Sequence, residues 1–217
     1  MVMNNGNQCK KFSCVDCHIL KCDDTNTTEK AFPSFCLTEN INQEVLDKAM
    51  SLYTDEENKA VTLAAANVES EFYCKLTRVE EIAEFAKKMN YKKLGIATCV
   101  GLIKEAGIVA KFLRNKGFEV YGAVCKVGAQ KKTSVGIDPL CENVGCNMCN
   151  PILQALLLNE EKTDFNIVVG LCVGHDSLFM KYSDALTTTL IAKDRVLGHN
   201  PAAALYLSES YYAKVLK

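Results

Sequence analysis

The chain lacks a surplus of either charge: 25 Lys+Arg stand against 26 Asp+Glu over 217 residues, a formal net charge of −1. A sequence pI near 6.3 excludes nucleic acid as the leading partner, because that class of protein normally presents a basic face. It also lacks long apolar runs. None approaches the ~18 residues needed to cross a bilayer, so no membrane partner is expected. The start, MVMNNGNQCKKFSC, has no apolar stretch of the kind a secretory leader requires. A cytoplasmic location is therefore expected. Phosphate-binding signatures are missing as well. Gly95, Gly101 and Gly107 do not fall into a G-x-G-x-x-G pattern, no acidic partner sits where a ribose would need one, and no Walker A stretch occurs.

Cysteine, by contrast, is abundant, with 12 in 217 residues. The chain is too large for a small disulfide-stapled secreted scaffold, and 48% hydrophobic side chains suffice for one real core. In a reducing compartment, many cysteines at short spacings point to metal ligands or redox thiols.

Three zones follow from the pattern along the chain. Residues 1–39 carry Cys9, Cys14, Cys17, Cys22 and Cys36 with few apolar side chains, so something other than burial must order them. Residues 40–90 read as helices. Asn40 with Gln43, Thr54 with Glu57 and Thr77 with Glu80 resemble capping boxes, and Cys74 is expected on an apolar helix face. From residue 91 to 217 the pattern becomes α/β. Strands are expected over 92–99, 118–127, 165–173 and 188–194. Helices are expected over 101–117 and from Pro151, His175 and Pro201 onward. Apolar runs alternating with helices predict a small doubly wound, Rossmann-like parallel sheet of about four strands.

Strand ends are where the chemistry concentrates. IATCVGL (96–102) and VGLCVGH (169–175) each close a strand with Cys-Val-Gly, and Cys125-Lys-Val-Gly128 is a looser version. Parallel strands gather their carboxyl ends on one edge, where ligands bind at topological switch points. Cys99, Cys125 and Cys172 belong on that edge, and Cys149, just before a helix start at Asn150, can face it. These four would form one tetrathiolate site. A competing grouping joins Cys172 to the loop thiols Cys141, Cys146 and Cys149, whose spacing is that of plant-type ferredoxins. Separate structural or redox thiols are a third option. At the other end, Cys14-x2-Cys17-x4-Cys22 and Cys36 supply four thiolates at spacings suited to zinc or an iron–sulfur cluster. Cys14-Val-Asp-Cys17-His18 also matches a haem-attachment motif, which needs an export signal that this start lacks.

Two further readings compete. Gly170-Leu-Cys172-Val-Gly174 has the spacing of a nucleophile elbow with Cys in place of Ser. His175 or His199 would then serve as base and Asp194 as acid, in a hydrolase or transferase. Alternatively, the helix starts at Gly101, Gly174 and Asn200 would cradle a small anion.

The stretches CNPILQALLLN, NIVVGLCVGHDSLFMKYS and KDRVLGHNPAAALY, with the N-terminal cysteines and the GIATCVGL and VCKVG strand ends, resemble the cysteine-rich domain-of-unknown-function family 1847 of bacteria and archaea. That resemblance covers nearly the whole chain. It implies a metal-binding α/β protein and brings no established reaction, and Cys141 and Cys146 fall outside its motifs. The expectation is thus a metal- or iron–sulfur-binding protein of redox type. Its partners would be a metal ion or cluster, and a small anionic ligand or a redox partner protein.

Overall fold

Residues 93–98, Lys-Leu-Gly-Ile-Ala-Thr, can be buried on both faces because they carry almost nothing polar. In the computed structural model, which describes residues 11–23 and 31–217, they form β1 (Lys93–Thr98) at the centre of the sheet. β2 (Glu119–Val124) flanks it on one side and β3 (Phe165–Val169) on the other, with β4 (Thr187–Ile191) outermost beyond β3. All pairings are parallel, with Leu94 opposite Val120 and Phe165. Every residue of β3, Phe-Asn-Ile-Val-Val, is buried, as expected of a strand covered on both faces. The two edge strands are only partly covered.

Seven α-helices accompany the sheet among the described residues. α1 (Gln43–Leu52), α2 (Glu56–Phe72) and α3 (Arg78–Lys88) precede it. α4 (Ile103–Asn115) links β1 to β2, α5 (Pro151–Glu160) links β2 to β3, and α6 (His175–Tyr182) links β3 to β4. α7 (Ala202–Tyr206) follows β4. The chain leaves β1 first toward β2 and later returns past it to β3, so the order β2-β1-β3-β4 has its switch point between β1 and β3. This is the doubly wound, Rossmann-like α/β fold. The core joins Leu94, Ile96 and Ile167 from the sheet to Ile82 and Ala86 of α3, Val109 and Leu113 of α4, Leu158 of α5 and Phe179 of α6.

Contacts divide the chain into two units, residues 1–62 and 63–217, with the border inside α2. In the first, Cys14–Asp16 form a 3-10 turn that Cys17 N–H closes on the Cys14 carbonyl. The rings of Phe12 and Phe35 lie 5.5 Å apart there, and Asn40 ties down the carbonyls of Ser34 and Cys36. Cys9 lies outside the described residues. No helix among those described is long and apolar enough to cross a membrane.

Several local expectations need adjusting. The box at Thr77 and Glu80 is present, with Glu80 accepting from both the Thr77 amide and hydroxyl. α1, however, is capped by Asn42 rather than Asn40, and Asp55 rather than Thr54 caps the start of α2. Cys74 is on no helix face. It sits exposed at φ 55°, in the turn that separates α2 from the capping box of α3. The last helix spans only Ala202–Tyr206, and Ser208 and Ser210 bond back into the turns that follow it.

One contact clamps the sheet next to its thiols. Gln154 of α5 is fully buried, and its Nε2 donates to the carbonyls of Thr98 at 3.1 Å and Ala123 at 2.7 Å. Its Oε1 has no partner among the described residues. Gln154→Leu removes both bonds across the β1–β2 seam, and a stability loss of ~1–3 kcal/mol is expected in denaturant unfolding. An unchanged midpoint would show that the clamp contributes nothing.

Candidate functional site at the carboxyl edge of the sheet

β1, β2 and β3 point their carboxyl ends the same way, and each is followed within three residues by a thiol. Cys99 follows β1 at once, Cys125 follows β2 at once, and Cys172 comes three residues after β3. The first two extend the ladder before turning away: Cys99 N–H donates to Val169 C=O and Cys125 N–H to Thr98 C=O. Cys149 arrives from the other direction, one residue before the Asn150 cap of α5. There Asn150 N–H donates to Cys125 C=O at 2.8 Å and holds the two segments side by side.

All four thiols line one crevice of about 450 Å³. Val100, Gly101 and His175 line it too, as do four cationic side chains, Lys126, Lys132, Lys193 and Arg195. Lys193 Nζ donates to Cys99 Sγ at 3.2 Å, and Arg195 Nη2 to Cys172 Sγ at 2.9 Å. Val100 N–H donates to Cys125 Sγ at 3.3 Å. Cys125 and Cys149 lie close enough for each to shift the other's acidity. Cys125, His175 and the nearby Lys126 ammonium bring Cys149 down to about 3. Cys149 and then burial push Cys125 up.

A larger groove of about 630 Å³, lined by Val68, Tyr73, Phe85, Phe165 and Thr188, lies toward the amino ends of β3 and β4. It is mostly apolar and lacks clustered thiols. Ligand sites of doubly wound sheets lie at the opposite, carboxyl edge, which is where the crevice sits.

The remaining expected residues fall as follows. Gly174 (φ 84°) caps α6 beside the crevice, and Gly170 (φ 71°) makes the turn out of β3. The elbow backbone is therefore present around Cys172, and His175 lines the crevice with it, while Asp194 and His199 bond within their own turn. The Asp194 carboxylate accepts from the amides of Val196 and Leu197, and His199 Nδ1 accepts from the Asp194 amide. His175 faces Cys149. Asn200 is not among the crevice-lining residues. Cys141 and Cys146 are exposed, and in the other unit Cys14 and Cys22 are exposed while Cys17 and Cys36 are half-buried. None of the eleven described cysteines is in a disulfide.

Zinc or an iron–sulfur cluster requires several thiolates around one point. Among the described residues, no three or more His, Cys, Asp or Glu side chains are grouped so as to hold an ion. The crevice sulfurs are instead engaged in smaller sets: Cys125 with Cys149, Cys99 with Lys193, Cys172 with Arg195. Sequence reasoning missed the four cations. The only signal was position, since Lys126 follows Cys125 directly and Lys193 and Arg195 follow β4.

A family described as "Protein of unknown function (DUF1847)" matches residues 36–190. An uncharacterised protein of Methanocaldococcus jannaschii is 46% identical over 198 residues, covering 91% of this chain and 98% of its own length.

Proposed function

From the chain's membership in the DUF1847 family, we propose a cysteine-rich redox centre at the carboxyl edge of its sheet, in which Cys149 and Cys125 interconvert between dithiol and disulfide. The observation that carries this reading is the placement of the two thiols in one crevice, on segments held side by side by the Asn150–Cys125 backbone bond. The step needs a disulfide-bearing co-substrate. The Cys149 thiolate attacks one of its sulfurs and expels the other half as a thiolate. Cys125 then yields its proton to that leaving thiolate, and its sulfur attacks the Cys149 sulfur. This forms the Cys125–Cys149 bond and releases the second half. The protein pair loses two electrons and the co-substrate gains two. His175, which lines the crevice beside Cys149, would position its sulfur. A reducing, cytoplasmic setting suits such a cycle.

A second reading, binding of zinc or an iron–sulfur cluster, is favoured by one observation: Cys99, Cys125, Cys149 and Cys172 share a single crevice with four cations able to offset thiolate charge. Cys14, Cys17, Cys22 and Cys36 would form a second, structural set, supported by the x2 spacing and the turn joining Cys14 to Cys17. No step of the dithiol cycle runs through a metal.

Two measurements on anaerobically purified chain decide between the readings. Metal analysis is expected to find the crevice thiols free. Peptide mapping after one equivalent of a small disulfide is expected to find Cys125 linked to Cys149. Zinc or iron bound at whole-number stoichiometry and lost on replacing Cys99 and Cys172 with Ser would instead establish the second reading. Absence of both the metal and the cross-link would overturn both.

A further inference from the structure

The crevice holds a charge imbalance that the dithiol does not need. Its lining contains Lys126, Lys132, Lys193 and Arg195 and not one carboxylate. Lys132 is the most telling, because it is only 8% exposed. A lysine removed from water normally finds an anion to offset its desolvation. Here Lys132 Nζ meets the carbonyl of Cys141, and Lys126 Nζ meets the carbonyl of Asn147 at 2.6 Å. Lys193 and Arg195 meet sulfurs. Among the described residues none of the four is in a salt bridge, while Lys87, Lys88 and Lys93 elsewhere all pair with glutamates.

Two acids close to these cations in sequence spend their carboxylates elsewhere. Asp194, between Lys193 and Arg195 in sequence, spends its carboxylate on two backbone amides, and Asp138 caps the Leu140 amide. A volume of about 450 Å³ is that of a small-molecule site rather than a protein-docking face.

We propose that the crevice binds a small organic anion, and that the co-substrate of the Cys125–Cys149 pair is a low-molecular-weight disulfide bearing carboxylate or phosphate groups. The cations hold the anionic groups while the disulfide lies against Cys149. The disulfide half of this statement rests on the dithiol reading above. The anion half stands on the lining itself.

The test uses the reduced full chain and three small disulfides: dithiodipropionate (anionic), hydroxyethyl disulfide (neutral) and cystamine (cationic). Each rate of Cys125–Cys149 bond formation is divided by that compound's rate with a free model thiol. The anionic compound is expected to react about tenfold or more faster than the neutral one at low ionic strength, and the advantage should shrink in 0.5 M salt. Lys193→Gln with Arg195→Gln should cut the advantage severalfold, as should Lys126→Gln, which spares the buried Lys132. Equal normalised rates for the three compounds, or a preference for cystamine, would overturn the anion assignment and leave the dithiol reading standing. If none of the compounds produces the cross-link, the dithiol reading fails. Adipate, which has no disulfide, then decides the anion half by calorimetry: salt-sensitive binding that is lost in the Lys193 and Arg195 variant sustains it, and absence of binding overturns it.

Discussion

Alkylation of Cys149 by iodoacetamide in the reduced, metal-free chain should proceed at a rate nearly independent of pH between 5 and 8. An ordinary thiol loses about tenfold in rate per pH unit across most of that range, because only its thiolate reacts. Cys125, His175 and Lys126 draw Cys149 well below the usual thiol range, so its reactive fraction should not change. A strongly lowered acidity constant also weakens the nucleophile, with a Brønsted slope of about 0.4–0.5. The two effects cross. Against N-acetylcysteine amide as internal standard, Cys149 should react about tenfold faster at pH 5 and roughly a hundredfold slower at pH 8. Cys149→Ser should remove the pH-independent phase entirely. Cys125→Ala, which removes the largest of the stabilising influences, should restore much of the ordinary pH slope. A Cys149 rate that climbs tenfold per unit in the wild-type chain would mean that no thiolate is held there.

The same couple makes stability depend on pH, with a sign fixed by linkage. Cys149 is lowered from an ordinary value of 9.0 to about 3, so its contribution is complete above pH 9 and drains away as pH falls toward 3. Cys125 is raised, so its contribution is present below 9 and is lost as pH climbs through its higher folded value. Together they place the pair's greatest support near pH 9.

Gly95→Ala is expected to be the most damaging single substitution away from the crevice. A Cβ at that position would lie 2.0 Å from Asn166 Oδ1 and 2.9 Å from Leu158 Cδ1. Asn166 cannot swing aside cheaply. It is fully buried, its Oδ1 accepts from Thr163 Oγ1 at 2.8 Å, and its Nδ2 donates to Ser183 Oγ at 2.8 Å. Ser183 in turn donates to Ala185 C=O at 2.7 Å, so the collision reaches the start of β4. Overpacking plus a broken buried network gives a loss of about 3 kcal/mol or more, or ~6–12 °C in Tm for a protein of this size. Adding Asn166→Ala should recover part of the loss, because the clash and the network share one side chain. A loss below about 1 kcal/mol for Gly95→Ala would show that β1 and β3 can part there without cost.

Much of the architecture is legible in the sequence. Runs such as Phe-Asn-Ile-Val-Val have one stable fate in a chain of alternating strands and helices, and Thr77 with Glu80 announced α3 through a local reciprocal bond that needs no tertiary context. Caps whose neighbours offered rival Asn and Asp side chains were misplaced by a residue or two, as at Asn42 and Asp55. Cys74 was misread because helical periodicity continues through it, and only the left-handed turn at φ 55° reveals the break. The strand-end thiols were legible for a geometric reason, since parallel strands must bring their ends together. Lys132 and Arg195 were not. Apart from the position of Arg195 just after a strand, a sequence with 25 Lys+Arg does not distinguish a cation that folds into a crevice from one left in solvent. Likewise, spacing alone put Asp194 and His199 beside Cys172, whereas the turn after β4 uses both for its own backbone amides.

The excursion between β2 and α5 departs at Cys125 and returns at Cys149, and it is zipped at its base. Lys131 and Asn147 form an antiparallel bridge, Met148 N–H reaches Gln130 C=O, and Asn150 N–H reaches Cys125 C=O. Its two feet therefore stand together whatever the intervening residues are, and it contributes Lys126, Lys132 and Cys149 as one package. Lineages could lengthen, shorten or rewrite that package without disturbing strand order, making it the natural place for ligand preference to diverge while the platform beneath is inherited unchanged.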